Sequence, residues 1–370
     1  MADKLNHIVV KPEKIAAQAV GMLEQELLIP NLFKKEGLDQ FKGAEDDTYS
    51  VKVEGVLPFH DFGWRTGEQK SNSTTTAPQG TPTVRNTVIF DEYKERKIPV
   101  TFQGNVYSAV EATDEQLDFD TDGWGKFNRP QVKAVARGLG RRAVNVLKDQ
   151  AYSVTIGNAE QNLRGAIVEA RRVLNAFNVP DGQRYLLVGT DFESALLNDK
   201  DLNLAQNVGD GEAESALLNA KISRRFGFTI VVDQTIPSDA AYAFADSAFI
   251  FLNAAPKVPS SILGATTAFE GVALRWVRDY DSASMKERNV VNTYAGFRSV
   301  TDVLVGWNDA TNSEFVSAGE HFVRGIKLTL DGASDYPADG GELALVSGIT
   351  DAKLWTPTGR VATEADPKNA

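Results

Sequence analysis

Acid–base catalysis needs titratable side chains brought together, and this sequence offers few of the usual kinds. It has three histidines, His7, His60 and His321, each in a different segment, and no nucleophile-elbow pattern sets an activated serine beside any of them. It has no cysteine, which excludes disulfides, thiol catalysis and zinc–thiolate sites. Gly138-Leu139-Gly140 is a fragment of a dinucleotide fingerprint, but it falls inside a helical pattern and lacks the third glycine. Helix packing or a slight bend is the better reading. One metal motif needs weighing: Asp118-x-Asp120-x-Asp122-Gly123 is the first half of an EF-hand loop, but the ninth and twelfth positions are Lys126 and Arg129. Asp118, Asp120 and Asp122 stay a weak calcium candidate beside the plainer reading, an acidic turn complementing the positive N-terminal end of the next helix. Arg137, Arg141 and Arg142 give that helix a basic stripe, without aromatic residues for base stacking other than Tyr152 at its end. A solvated face, or partners for the acidic segments, is the expectation. No catalytic group and no cofactor is assigned.

Composition narrows the class further. The chain has 370 residues, 42% hydrophobic and 24% charged, and a net charge of −11, ordinary for a globular protein with a real core. A chain this acidic will not hold nucleic acid over its whole surface by phosphate neutralisation. Charges run through residues 1–20 and no apolar run approaches the roughly 20 residues of a membrane span. The expectation is a soluble protein made in the cytoplasm.

The elements that must position any working surface can be read from periodicity. Residues 12–29 carry Ile15, Ala19, Met22, Leu23 and Leu27 at helical spacing, stopped by Pro30. With little sequence beside it to bury that stripe, the segment reads as an arm that docks elsewhere. Tyr49, Val51 and Val53 then alternate with polar residues as a strand, and 83–90 reads as its partner, extended by the charged run 91–97. Between them, residues 63–82 are loop chemistry with almost no core residues. An isolated two-stranded ribbon with a long polar tip is marginal in water, so a partner surface is expected. A long helix is predicted over 129–152, with Pro130 in its first turn. An α/β lobe follows: a helix over 163–177, a strand at 185–188, a helix at 192–197 capped by Asp191, a short helix near 214–220, and strands at 228–232 and 243–252. Strands are then predicted at 272–280, 289–294, 300–305, 323–330 and 343–354.

Taken in order, a helical arm, a polar-tipped hairpin, a long basic helix, an α/β lobe and a return to strands resemble the HK97-like fold of tailed-phage major capsid proteins over residues 1–305. Several local phrases are similar to coat proteins of actinobacterial-phage type: Arg129-Pro130-Gln131-Val132, Leu187-Val188-Gly189-Thr190-Asp191, Phe226-Gly227-Phe228-Thr229-Ile230-Val231-Val232 and Arg278-Asp279-Tyr280-Asp281. The implied class is α+β. It comprises an N-terminal arm (1–47), an extended hairpin or E-loop (48–103), a peripheral domain with a spine helix (104–160 and 265–310), an axial domain (161–264) and a β-rich C-terminal extension (311–370).

The resemblance implies a shell protein rather than an enzyme, placed in the virion capsid and assembled in the host cytoplasm. Its partners would be copies of itself in hexamers and pentamers, a portal, a separate scaffolding protein and a decoration protein, around double-stranded DNA held without sequence-specific binding; no membrane is implied. The residues expected at contacts between copies are Tyr49, Val51, Val53, Trp64, Arg65, Lys70, Val88 and Phe90, with the charges Asp91, Glu92, Lys94, Glu95, Arg96 and Lys97. Some family members cross-link a hairpin lysine to a neighbour's asparagine; Lys70 lies in the tip, but nothing in the sequence identifies a partner for it. The alternatives are a bacterial encapsulin shell of the same fold and, from another class, an enzyme or binding module with a β-rich C-terminal domain.

Overall fold

One strand, Lys286–Ser299, runs well beyond the 289–294 segment read from the sequence, and its buried residues include the polar Asn289, Asn292 and Thr293. It is found in a computed structural model that describes residues 16, 18–20, 22–23, 27–36, 48–53, 55–59, 90–93, 95–118, 125–199, 224–269, 272–308, 313–337, 341–347, 354–355 and 361–362. Contacts divide the chain into two compact units, one of residues 1–51, 99–149 and 249–299, the other of 52–98, 150–248 and 300–370.

In the first unit, Lys286–Ser299 is the hub of a six-stranded sheet. Its N-terminal half pairs antiparallel with Val272–Asp281 and its C-terminal half with Phe249–Ala254. Asn105–Thr113 pairs with residues 286–294, and Leu263–Phe269 extends the sheet beyond Val272–Asp281. The helix Gly125–Asp149 lies across Asn105–Thr113 and the hub. It starts four residues before the expected 129, so Pro130 sits inside it and removes one early helical hydrogen bond. Gln131 fastens it. Buried at 2% exposure, it exchanges hydrogen bonds with Asn289: Gln131 Nε2 donates to Asn289 O at 3.0 Å and Asn289 Nδ2 donates to Gln131 Oε1 at 2.8 Å.

The N-terminal segment is not left for docking elsewhere. Ala16, Ala19, Val20, Leu23, Leu27, Ile29 and Phe33 are all buried on the chain itself, and Phe33 stacks on Phe249 with ring centroids 4.9 Å apart. The helix has ended by Leu27; Pro30 opens a 3₁₀ turn, Pro30–Leu32, instead of stopping the helix. Lys34–Glu36 then adds a parallel strand beside Phe249–Ala254.

In the second unit the sheet order is Thr155–Ile156, Gly325–Thr329, Ala240–Ala245, Arg184–Val188, Phe228–Val232 and Arg224–Arg225. The helix Leu163–Ala176 buries Ala166, Ile167, Ala170, Val173 and Leu174 in the same core as Leu186, Val188, Ala243 and Ile326. Arg184, 2% exposed, closes its C-terminal end by donating to Val179 O (2.6 Å), Pro180 O (3.2 Å) and Asn175 Oδ1 (2.8 Å). Burial draws its guanidinium pKa down, against the pull of Asp181. The helix Thr190–Asn198 is entered through Gly189, not capped by Asp191; a side chain at Gly189 would collide with the backbone of Pro237 and Ser238.

Three further readings change. The expected strand 243–252 is two strands, Ala240–Ala245 and Phe249–Ala254, in different sheets and separated by the 3₁₀ turn Asp246–Ala248. The tail is not simply an added β element, because Gly325–Thr329 lies within the second unit's main sheet, between Thr155–Ile156 and Ala240–Ala245. The segment expected as a strand over 343–354 is instead the helix Glu342–Ser347 followed by the strand Leu354–Trp355. The helix expected near 214–220 lies outside the described residues.

The glycine pair of the long helix separates cleanly. A Cβ on Gly138 would sit 2.7 Å from Val106 Cγ1, whereas one on Gly140 meets nothing within 4 Å. Gly140→Ala should therefore gain about 1 kcal/mol of helix propensity. In Gly138→Ala, overpacking of about 1–3 kcal/mol should cancel or reverse that gain. Denaturant midpoints of the two variants check this; equal stabilisation by both would contradict the close packing.

Candidate assembly surface

The hairpin begins with the strand Thr48–Val53, which pairs in a two-stranded sheet with Arg96–Thr101. The returning strand starts at the far end of the expected run 83–97: Phe90, Asp91, Glu92, Tyr93 and Glu95 lie outside any strand, and 83–89 lie outside the described residues. Of the residues expected at contacts between copies, Trp64, Arg65, Lys70, Val88 and Lys94 lie outside the described residues. Tyr49, Val51 and Val53 are half-buried and alternate with exposed Ser50 and Lys52. On the returning strand Ile98 and Val100 are buried. The strand ends where Gln103 N donates to Ala295 O at 2.9 Å, and Thr101 O would lie 2.7 Å from a Cβ on Gly296.

Arg96 is held within the chain. Its Nη1 lies 2.8 Å from Glu320 Oε1 and its Nη2 donates to Thr301 O at 2.9 Å. It borders a cavity of about 310 Å³ at the hairpin root, shared with Glu92, Asp302, Ser317 and Glu320. Beyond this wall, Asp302 accepts both Arg324 Nε (2.5 Å) and Nη2 (2.7 Å). Glu92, Glu95 and Lys97 are exposed. So is Phe90, at 91%.

Sequence reasoning missed the apolar residues on the outgoing side. Val56, Leu57 and Phe59 are all exposed, as are Tyr93 and Trp307. The run Val56-Leu57-Pro58-Phe59 just before a polar loop was the available signal. Phe59 stacks on Trp307 with centroids 6.2 Å apart and 16° between planes, and its N–H donates to Glu314 Oε2 at 2.7 Å. Both anchors lie on a small hairpin, Val305–Asn308 paired with Ser313–Val316. Gly55 N donates to Tyr93 Oη at 3.3 Å, tying the outgoing and returning segments together.

Chemistry has little to work with at the other sites. His321 Nε2 is 3.0 Å from Glu342 Oε2. The N–H of Ala318, and then His321, hold the Glu342 carboxyl below the usual carboxylate range. Asp118 ends a short helix, Asp114–Asp118, while Asp120 and Asp122 lie outside the described residues. Among the described residues no group of three or more His, Cys, Asp or Glu could hold a metal, and no helix is long and apolar enough to cross a membrane.

Residues 106–288 match the family of phage capsid proteins. A solved structure from Mycobacterium phage Che8 is similar at 13% identity, with a TM-score of 0.53 over 83% of this chain and 92% of that one. The capsid structure of the cyanophage P-SCSP1u is similar at 11% identity, with a TM-score of 0.50 over 80% and 89%. The chain has the HK97-like fold of phage capsids, and residues 106–288 carry the phage capsid family's own segment. No curated protein matches the sequence.

For a capsid protein, the phrases that carried the resemblance are structural. Gln131 pins the long helix, Gly189 admits a close backbone crossing, and Phe226-Gly227 forms a tight turn with φ of 48° and 88°. Arg171 donates to the Phe226 carbonyl at 3.1 Å, steadying a left-handed conformation that costs a bulky residue free energy. Arg278 pairs with Glu287 across two strands.

The Phe59–Trp307 stack should be worth about 0.5–1.5 kcal/mol beyond its buried area. Trp307→Ala is expected to speed hydrogen exchange at the Phe59 amide by up to about tenfold while leaving the Leu186 amide unchanged. Unchanged exchange at Phe59 would remove the anchor from the account.

Proposed function

We propose that this capsid protein assembles as hexamers and pentamers into a closed icosahedral shell around double-stranded DNA, with each hairpin laid on a neighbouring copy. The observation that carries the reading is the exposed apolar surface at the hairpin root: Phe90 at 91%, with Val56, Leu57, Phe59 and Tyr93. Large apolar side chains left uncovered together mark contact sites more often than chance exposure does. We assign residues 48–103 as the intersubunit hairpin, 104–160 and 265–310 as the peripheral domain and 161–264 as the axial domain. Residues 1–47 are an arm and 311–370 a C-terminal extension that lends a strand to the axial sheet. Tyr49, Val51, Val53, Trp64, Arg65, Lys70, Val88, Phe90 and the charges Asp91, Glu92, Lys94, Glu95 and Lys97 are proposed contact residues, joined now by Val56, Leu57 and Phe59. Arg96 is proposed to hold the hairpin root in place rather than to reach a neighbour.

The role is structural rather than enzymatic. Exposed ion pairs contribute about 0–1 kcal/mol each, but a closed shell repeats every contact many times, so weak terms add to a durable particle. A portal, a separate scaffolding protein and a decoration protein are the further partners proposed, with assembly in the host cytoplasm.

Deleting residues 67–79 tests the hairpin's part. The deleted chain should stay folded and soluble but fail to form shells when expressed under conditions where the full chain does; sedimentation and electron microscopy read both outcomes. Normal shells from the deletion would overturn the hairpin's role.

A further inference from the structure

The helix Gly125–Asp149 carries seven cations and one carboxylate, Asp149, in a chain whose net charge is −11. Arg129, Lys133, Arg137 and Arg141 follow one another at four-residue spacing, about 6 Å apart along the axis, and Lys148 continues on the same side. The apolar side, with Val132, Val135 and Leu139 buried, faces the sheet. Arg129, Arg137, Arg141 and Lys148 are exposed, and none of these four makes an ion pair with another described residue. Like charges four residues apart destabilise a helix, and an ordinary solvent-facing helix intersperses both signs. This row works against the helix that bears it, so a polyanion outside the chain is the better account of it.

We propose that this cationic row is the surface that the capsid protein turns toward packaged DNA, contacting its phosphates without reading sequence. The inference rests on the shell reading above. No aromatic or large aliphatic side chain stands in the row, whereas a protein partner would be expected to find a buried apolar anchor. Four exposed guanidinium and ammonium groups along one side of the helix suit a backbone of repeating charge. Each copy supplies a few weak, salt-sensitive contacts. Repetition over the shell orders the outer DNA layer, while no single copy holds DNA tightly enough to resist release.

The test measures binding of the full-length chain to a fluorescent 30-base-pair duplex across a salt series. The variants are Arg129→Gln/Arg137→Gln/Arg141→Gln and the triple Arg→Lys form. With about four phosphate contacts, wild-type affinity should fall roughly 150-fold between 50 and 200 mM salt; with about one left, the Gln variant's should fall only about threefold. The Lys form should behave as wild type. Equal salt slopes for the wild type and the Gln variant would overturn the proposal, as would a polyglutamate peptide competing more strongly than unlabelled duplex, which would point to an acidic protein partner. Should the triple variant fail to fold, the single Arg137→Gln variant makes the same comparison, with an expected loss of about 0.9 of the log–log slope. Electron microscopy of the same preparations keeps the two readings apart: shells with no slope change refute only the DNA face, whereas a wild type that never forms shells refutes the shell reading beneath it.

Discussion

The strand Lys286–Ser299 changes partners part-way along one edge, and the first unit depends on how that hand-over is made. Tyr294 pairs with Ala254 on one side and Asn105 on the other, so Val272–Asp281 and Phe249–Ala254 follow each other along a single edge. At the junction, ladder hydrogen bonding is interrupted in a fully buried place, and unpaired backbone groups there cost about 1–3 kcal/mol each. Two side chains close the gap. Asn253 Oδ1 accepts from Ala273 N, Asn253 Nδ2 donates to Thr293 Oγ1 at 3.0 Å, and Thr293 Oγ1 donates to Ala273 O at 2.7 Å. Asn253 and Thr293 are both 0% exposed. The strand beside Lys34–Glu36, the seat of the hairpin's end at Gly296 and the platform under the long helix all hang from this one strand.

A shell subunit needs two kinds of surface, one that keeps its own shape and one left unsatisfied until a neighbour arrives. The buried joint, the Gln131–Asn289 pair and the Arg184 cap belong to the first kind, since every buried side-chain polar atom there is drawn into the fold's own hydrogen bonds save Asn289 Oδ1. The hairpin root is proposed to belong to the second. Its main chain and the Phe59 ring are held at defined points, by Glu314, Tyr93 and Trp307, while Val56, Leu57 and Phe90 stay exposed. Anchoring the root lowers the entropy lost when the hairpin meets a partner, so a weak contact can still select one geometry.

Much of the fold was legible because periodicity reports burial. The helix at 163–176 buries one regular face, and the strands at 228–232 and 272–281 fall where runs of β-branched and aromatic residues place them. Residues 240–254 failed because both strands are continuously buried, and only Asp246 and Ser247 mark the turn where the chain changes sheet. Lys34–Glu36 carries no apolar pattern at all; it is an edge strand held by main-chain pairing. Leu343, Ala344, Leu345 and Val346 suggest a strand by composition, yet Glu342 at the first turn starts a helix. At the candidate surface, alternation found Tyr49, Val51 and Val53, the half-buried residues of a strand. The stack of Phe59 on Trp307 joins positions far apart in the sequence, which no local signal reports.

Copies of this chain are proposed to close into shells. Negative-stain electron microscopy of the purified full-length chain tests it most directly. Regular closed particles, or the hexamers and pentamers that build them, are the expected result; a chain that remains a discrete small monomer or dimer under every assembly condition, scaffolding protein included, would contradict it.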